Sequence, residues 1–168
     1  MRTITIAMAD PQWAEEFEKI RVMISGYIGD LIIGIEHVGS TSVPGLGAKP
    51  IIDIDVVIED MSRLSSVIER LDLAGFDHEG NLGIEGREAF KRRYKDEFMP
   101  YHLYVCPKDG KGFRDHIAFR DFLRSHPDSV REYLKVKEDL ALLYPHDIDA
   151  YINGKKEYIE GILTKILT

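Results

Sequence analysis

Cysteine is almost absent: Cys106 stands alone in 168 residues. An internal disulfide is excluded, so packing and hydrogen bonds must hold the fold. Long apolar runs are missing as well. The longest, around Ile51 to Ile58, is broken by Asp53 and Asp55 and falls short of the roughly 18 residues that a membrane span needs, so no membrane association is expected. The opening "MRTITIAMADPQW" lacks the apolar centre of a signal peptide, which predicts a cytoplasmic location. Positive charge is also in deficit. Lys and Arg number 22 against 29 Asp and Glu, a net charge of -7, which removes the basic field that general nucleic-acid binding draws on but leaves room for a local basic pocket. Internal repeats and low-complexity linkers are lacking too, which argues against a division into separate parts.

What is present is the composition of an ordinary globular protein, 44% hydrophobic and 30% charged, at a length that suits one core. Residues 1–168 are expected to form a single domain, with an α/β front over 1–112 and a helical tail over 113–168. Asp10 as a cap and Pro11 at the first helical position predict an amphipathic helix with Trp13, Phe17, Ile20 and Ile24 on one face. The β-branched stretches 31–39 and 50–59 predict strands. "MSRLSSVIERLDLAGF" predicts a helix ended by Gly75, and the short segments from Phe76 to Pro107 predict a meander in the same sheet. From Phe113 onward the strand signal disappears, and breaks near His126-Pro127 and Tyr144-Pro145 divide the tail into three helices.

The stretch "HVGSTSVPGLGAKPIIDIDVV" (37–57) carries the chemistry. Alternation along a strand sends Ile52, Ile54, Val56 and Ile58 to one face and Asp53 and Asp55 to the other, about 7 Å apart by strand rise. Two like charges at that spacing call for neutralisation, and a divalent cation would supply it. Gly39 and Ser40 close the preceding strand with a bare backbone and a hydroxyl, groups that hold phosphate oxygens. Phosphate on that turn, with a cation between it and the carboxylates, is the layout of a metal-nucleotide site. A P-loop is excluded because the span from Gly45 to Lys49 is too short and Pro50 replaces the metal-binding hydroxyl; a nucleophile elbow is excluded because G-x-S-x-G is not met. A D-x-D glycosyltransferase would need more chain than this.

"EHVGSTSVPGLGAKPIID" (36–53) resembles the signature of the GrpB family, a group with the nucleotidyltransferase (DNA polymerase β-like) fold, and the tail positions Phe119, Arg120, Asp121, Tyr133, Lys137, Tyr151 and Lys155 match its helical pattern. The resemblance implies an α/β (α+β) fold: a nucleotidyltransferase-like mixed β-sheet with packed helices and a helical tail. It implies that Gly39 and Ser40 bind the phosphates of a nucleotide or nucleotide-like small molecule and that Asp53 and Asp55 bind Mg2+, or Mn2+ in its place. The superfamily's third acid has no counterpart in "MPYHLYVCP", where His102 takes the position, as metal ligand or general base. Lys49 belongs to the signature, either as a phosphate contact or as an anchor of the loop. Arg120, Lys137 and Lys155, one from each tail helix, are expected to converge on the cleft. Arg93, in "FKRRYK", is a further phosphate-binding candidate if its strand faces the same cleft. The activity implied is metal-dependent nucleotidyl transfer from a nucleoside triphosphate. Its alternative is a non-catalytic module for a nucleotide-like or coenzyme A-like ligand, as in domains fused to dephospho-coenzyme A kinase, with an accessory role in protein folding.

Overall fold

A computed structural model of the chain describes residues 3–167. Helix α1 spans Gln12–Ile28, followed by strands β1 (Gly34–Val38) and β2 (Ile52–Ile58), helix α2 (Leu64–Leu73), strands β3 (Phe76–Gly80), β4 (Glu88–Arg92) and β5 (Tyr101–Pro107), and the tail helices α3 (Lys111–Ser125), α4 (Pro127–Leu143) and α5 (Ile148–Ile166). The α1 start lies one residue later than the sequence suggests. Pro11 adopts helical angles just outside the helix, while the Asp10 carboxylate accepts the Gln12 N–H at 2.9 Å and the Asp10 carbonyl accepts that of Trp13. Gly75, at φ 95°, ends α2 in the left-handed region where a side chain would be strained.

The five strands form one mixed sheet in the order β1-β2-β5-β4-β3, antiparallel except for the parallel β2–β5 pair. Strand β5 is the last in the chain yet sits second from β1. The β-branched face of β2 drives the main core: Ile52, Ile54, Val56 and Ile58 are fully buried against Ile20, Ile24 and Ile28 of α1 and Val67 and Leu71 of α2. Both front helices therefore lie on one face of the sheet, and the acid face of β2 is left to the tail. A second cluster joins Val43 and Leu46, from the β1–β2 connection, to Leu123, Val130 and Tyr133 of the tail. The N-terminal segment straps this assembly, with Ala7 bridged to Ala48 and the Ile4 N–H donated to the Pro145 carbonyl. Among the described residues no helix is long and apolar enough to cross a membrane.

Candidate functional site

Strand β2 is interior to the sheet, so its acids are not on a solvated edge. Asp53 stands beside His102 of β5 in the parallel register, and Asp55 stands beside Tyr104. His102 Nδ1 and Asp53 Oδ1 are 2.9 Å apart, with the imidazole about half exposed. Asp55 has no solvent exposure and is met from α3 by His116, whose Nδ1 lies 2.6 Å from Asp55 Oδ2. Burial works to lower the His116 pKa, but the hydrogen bond and charge of Asp55 outweigh it and hold the ring above its ordinary value. Each carboxylate thus has an imidazole beside it. His116 was not singled out from the sequence; its signal was its place four residues before Arg120, on the same helical face.

Gly39 meets Asp53 at the end of β1. It adopts φ 74° and ψ −175°, a region open essentially to glycine alone, and a Cβ placed there would lie 2.3 Å from Asp53 Oδ2. The Ser40–Ser42 turn that follows is fastened by the Ser42 hydroxyl donating to the Gly39 carbonyl, at 2.5 Å, while the Ser40 side chain hydrogen-bonds Tyr133 of α4. Beneath the turn His37 is buried, stacked on Phe17 and bonded through Nε2 to the Thr41 hydroxyl at 2.9 Å. Burial, helped by the nearby Arg124, pushes the His37 pKa down to about 4.

Three lysines converge from distant parts of the chain. Lys49, before β2, and Lys155, of α5, lie over the ring of Tyr151, at 5.4 and 4.9 Å from its centroid. Lys137, of α4, is buried, lies over the Tyr133 ring and donates to the Gly47 carbonyl at 2.5 Å. Burial lowers all three pKa values; repulsion from Lys155 and Lys49 adds to it at Lys137, and from Lys49 at Lys155, taking Lys137 to about 7 and Lys155 to about 8. Asp53 is the acid whose charge reaches all three, and none forms an ion pair among the described residues. Such a cluster is costly unless an anion joins it.

Two expected cations are engaged differently. Arg120 donates to Glu36 at 2.8 Å and to the His37 carbonyl at 3.1 Å, pinning α3 to β1 beside the acids rather than joining the lysines. Arg93 lies beyond the end of β4 and pairs with Asp72 and Asp77 on the α2–β3 side. That edge is three strands from β2, about 14 Å at the usual strand spacing, so the structure does not bring Arg93 to the cleft. Arg87, which the sequence reading passed over, stacks over Tyr104 at 4.2 Å and reaches the charge of His116.

Asp55 Oδ1 is buried with no hydrogen-bond partner, an uncompensated acceptor on the side chain expected to hold metal. A hard cation fits that oxygen. Among the described residues no group of three or more His, Cys, Asp or Glu side chains is gathered for a metal, so Mg2+ would rest on two carboxylates and take its other oxygens from phosphate and water, a common arrangement for this ion.

The sheet order, the tail packed over an acid-bearing strand and the glycine-serine turn define a protein of nucleotidyltransferase-like fold. The Cid1 poly(U) polymerase shares that fold, with a TM-score of 0.52 and 14% identity over 79% of this chain and 40% of that one. The family model described as "GrpB protein" matches residues 3–165, and the chain belongs to the GrpB family. The crystal structure of the conserved protein GrpB from Enterococcus faecalis superposes with a TM-score of 0.83 at 30% identity, covering 96% of each chain. The UPF0157 protein YqkA of Bacillus subtilis is 33% identical over 159 residues, which are 95% of this chain; the chain spans 46% of that relative's length.

Two outcomes follow from the geometry. Gly39→Ala meets both the forbidden angles and the Asp53 carboxylate, and should destabilise the protein by about 1–3 kcal/mol; pairing it with Asp53→Ala removes the closest contact but leaves the residue 53 Cβ at 3.0 Å and the strain, so a double-mutant cycle in urea should show less than the summed loss. His37 binds its proton only near pH 4 in the fold but near 6.5 when unfolded, so stability falls as pH drops through that interval, by about 3 kcal/mol in all. Unfolding curves of wild type and His37→Gln at pH 7 and pH 4 should differ by that amount, with the variant less acid-sensitive.

Proposed function

We propose that this protein binds a nucleoside triphosphate together with magnesium and transfers the nucleotidyl group to an acceptor hydroxyl. The observation that carries the reading is the trio Lys49, Lys137 and Lys155, a polycation without carboxylate ion pairs, gathered beside Asp53 and the Gly39-Ser40 turn. Three converging ammonium groups suit the charge of a triphosphate. Gly39 would let phosphate approach the backbone, Ser40 would donate to it, and Lys137 and Lys155 would hold the outer phosphates. Asp53 and Asp55 would hold Mg2+, or Mn2+, which when bound supplies charge neutralisation at the phosphates. In the transfer the acceptor oxygen bonds to the α-phosphorus, the bond from that phosphorus to the bridging oxygen breaks, and pyrophosphate leaves. The hydroxyl proton departs past His102 to water. Arg120 positions α3, and with it His116, from its bridge to Glu36.

A second reading is favoured by one observation: an imidazole stands beside each carboxylate, with His102 at the position where the superfamily resemblance implies a third acid. On that reading the cleft binds a nucleotide or coenzyme A-like ligand without turning it over, as an accessory module.

Thermal unfolding with ATP, UTP and coenzyme A, each with and without Mg2+ or Mn2+, separates these readings from an empty scaffold. At ligand about 100-fold above Kd the melting temperature should rise by about 5–10 °C. The rise should require metal and should vanish in Asp53→Asn/Asp55→Asn; a shift without metal, and without turnover, favours the accessory module, and no shift from any ligand removes both readings. A second outcome concerns protons. At pH 8 Lys137 is mostly neutral and Lys155 about half so, and a triphosphate raises both, so binding should take up about one proton. Calorimetry in two buffers of different ionisation heat measures that uptake, which Lys137→Met should reduce.

A further inference from the structure

The acid face of the sheet is covered only in part. Helix α3 lies across β1 and β5, whereas among the described residues no tail helix packs to a comparable extent on the half formed by β4 and β3. Strands β4 and β5 pair from Glu88↔Val105 to Phe90↔Leu103, and there the ladder ends although β5 continues to pair with β2 through Asp53↔His102. At that parting lies a cavity of about 600 Å³, within the usual size of small-molecule sites. By register, Ala89, Lys91, His102 and Tyr104 belong to the same face as Asp53 and Asp55. Phe90, Arg92, Tyr101 and Leu103, which also line the cavity, belong to the other, so the cavity opens at the strand gap between the two faces. The end wall is the 93–100 connection, with Tyr94, which is largely exposed, and Lys95.

The chemistry of this cavity differs from that of the lysine cluster. It is aromatic, through Tyr94, Phe98 and Tyr104, and two of its cations, Lys91 and Lys95, form no ion pair among the described residues. Of its acids, Asp96 is already occupied by the Tyr101 hydroxyl and Arg92. His102 also lines it, and the ring is bonded to Asp53 Oδ1. Asp53 is therefore the point shared by two different surroundings, a polycationic one reached from the tail and an aromatic one reached across β5.

We infer that the cavity between β4 and β5 is the acceptor site, taking a small molecule with an aromatic ring, an anionic group and a free hydroxyl. The inference rests on the nucleotidyl-transfer reading, which requires a second substrate beside Asp53. The ring packs against Tyr94, Phe98 and Tyr104, the anion lies at Lys91 and Lys95, and the hydroxyl faces His102.

The test uses 4-hydroxyphenylacetate, which carries all three groups, as probe, with amide chemical shifts as readout on the full chain. A ligand of this size reaches a Kd of about 1–10 mM. Saturable shifts should centre on Lys91, Lys95, Tyr101 and His102, and Lys91→Glu/Lys95→Glu, both on the surface, should weaken binding at least about five-fold. Melting of the wild type with ATP or UTP and Mg2+ is followed in parallel. If nucleotide binds while the probe leaves these amides unmoved, or binds the charge-reversed variant equally, the acceptor site is overturned and the nucleotide reading stands. If the probe binds here but no nucleotide binds anywhere, the cavity has no donor to serve and the inference falls with the nucleotidyl-transfer reading.

Discussion

A carboxylate without solvent exposure in the middle of a sheet must be compensated or the strand cannot lie there. Asp55 is that group, and much of the architecture answers it. His116 reaches it from α3, which fixes where the tail begins to cover the sheet; Arg120, one turn on, binds Glu36 of β1 and prevents α3 from pivoting. The remaining oxygen of Asp55 has no partner, so compensation is incomplete on the protein's own resources. A fold that carries such a group leaves one buried acceptor open to a partner from outside the chain.

The lysine cluster extends the same logic with the sign reversed. Lys49, Lys137 and Lys155 come from the β1–β2 connection, α4 and α5, so their convergence depends on the whole tail being packed. Tyr133 and Tyr151 make this packing possible because each presents a face on which an ammonium group rests, and Tyr133 also meets Ser40 of the turn after β1. Acid and base are thus held near one another without being allowed to neutralise fully, a condition that a metal-bound polyphosphate would resolve.

Much of this was legible in the chain. The alternation in "IIDIDVV" located both the core and the acid face, Gly39 marked a backbone that a side chain would obstruct, and the breaks at Pro127 and Pro145 divided the tail correctly. Other features were hidden for physical reasons. Whether an acid on a strand is solvated or sealed depends on what crosses it, and His116 lies 61 residues from Asp55. Arg93 looked suited to a phosphate because a guanidinium can grip one in bidentate fashion if its strand faces the cleft, but the register of β3 and the end of α2 set Asp77 and Asp72 beside it first. Arg87 sits in a glycine-flanked connection without periodicity, so nothing local announced that it would stack on Tyr104.

The order of strands has a consequence for how the molecule is assembled. β1–β2 and β3–β4 are each joined by contiguous chain and can close as hairpins from local contacts, whereas β5 must enter between them, pairing in parallel with a strand 49 residues earlier. Until it does, β2 exposes an apolar edge and Asp53 has no His102 beside it. Contacts of long sequence separation form late because loop closure precedes any reward. The insertion of one strand therefore completes the sheet and sets His102 beside Asp53 in the same event, and only the later packing of the tail adds His116, Lys137 and Lys155, so a nascent or partly unfolded chain carries neither a sealed core nor an assembled cleft.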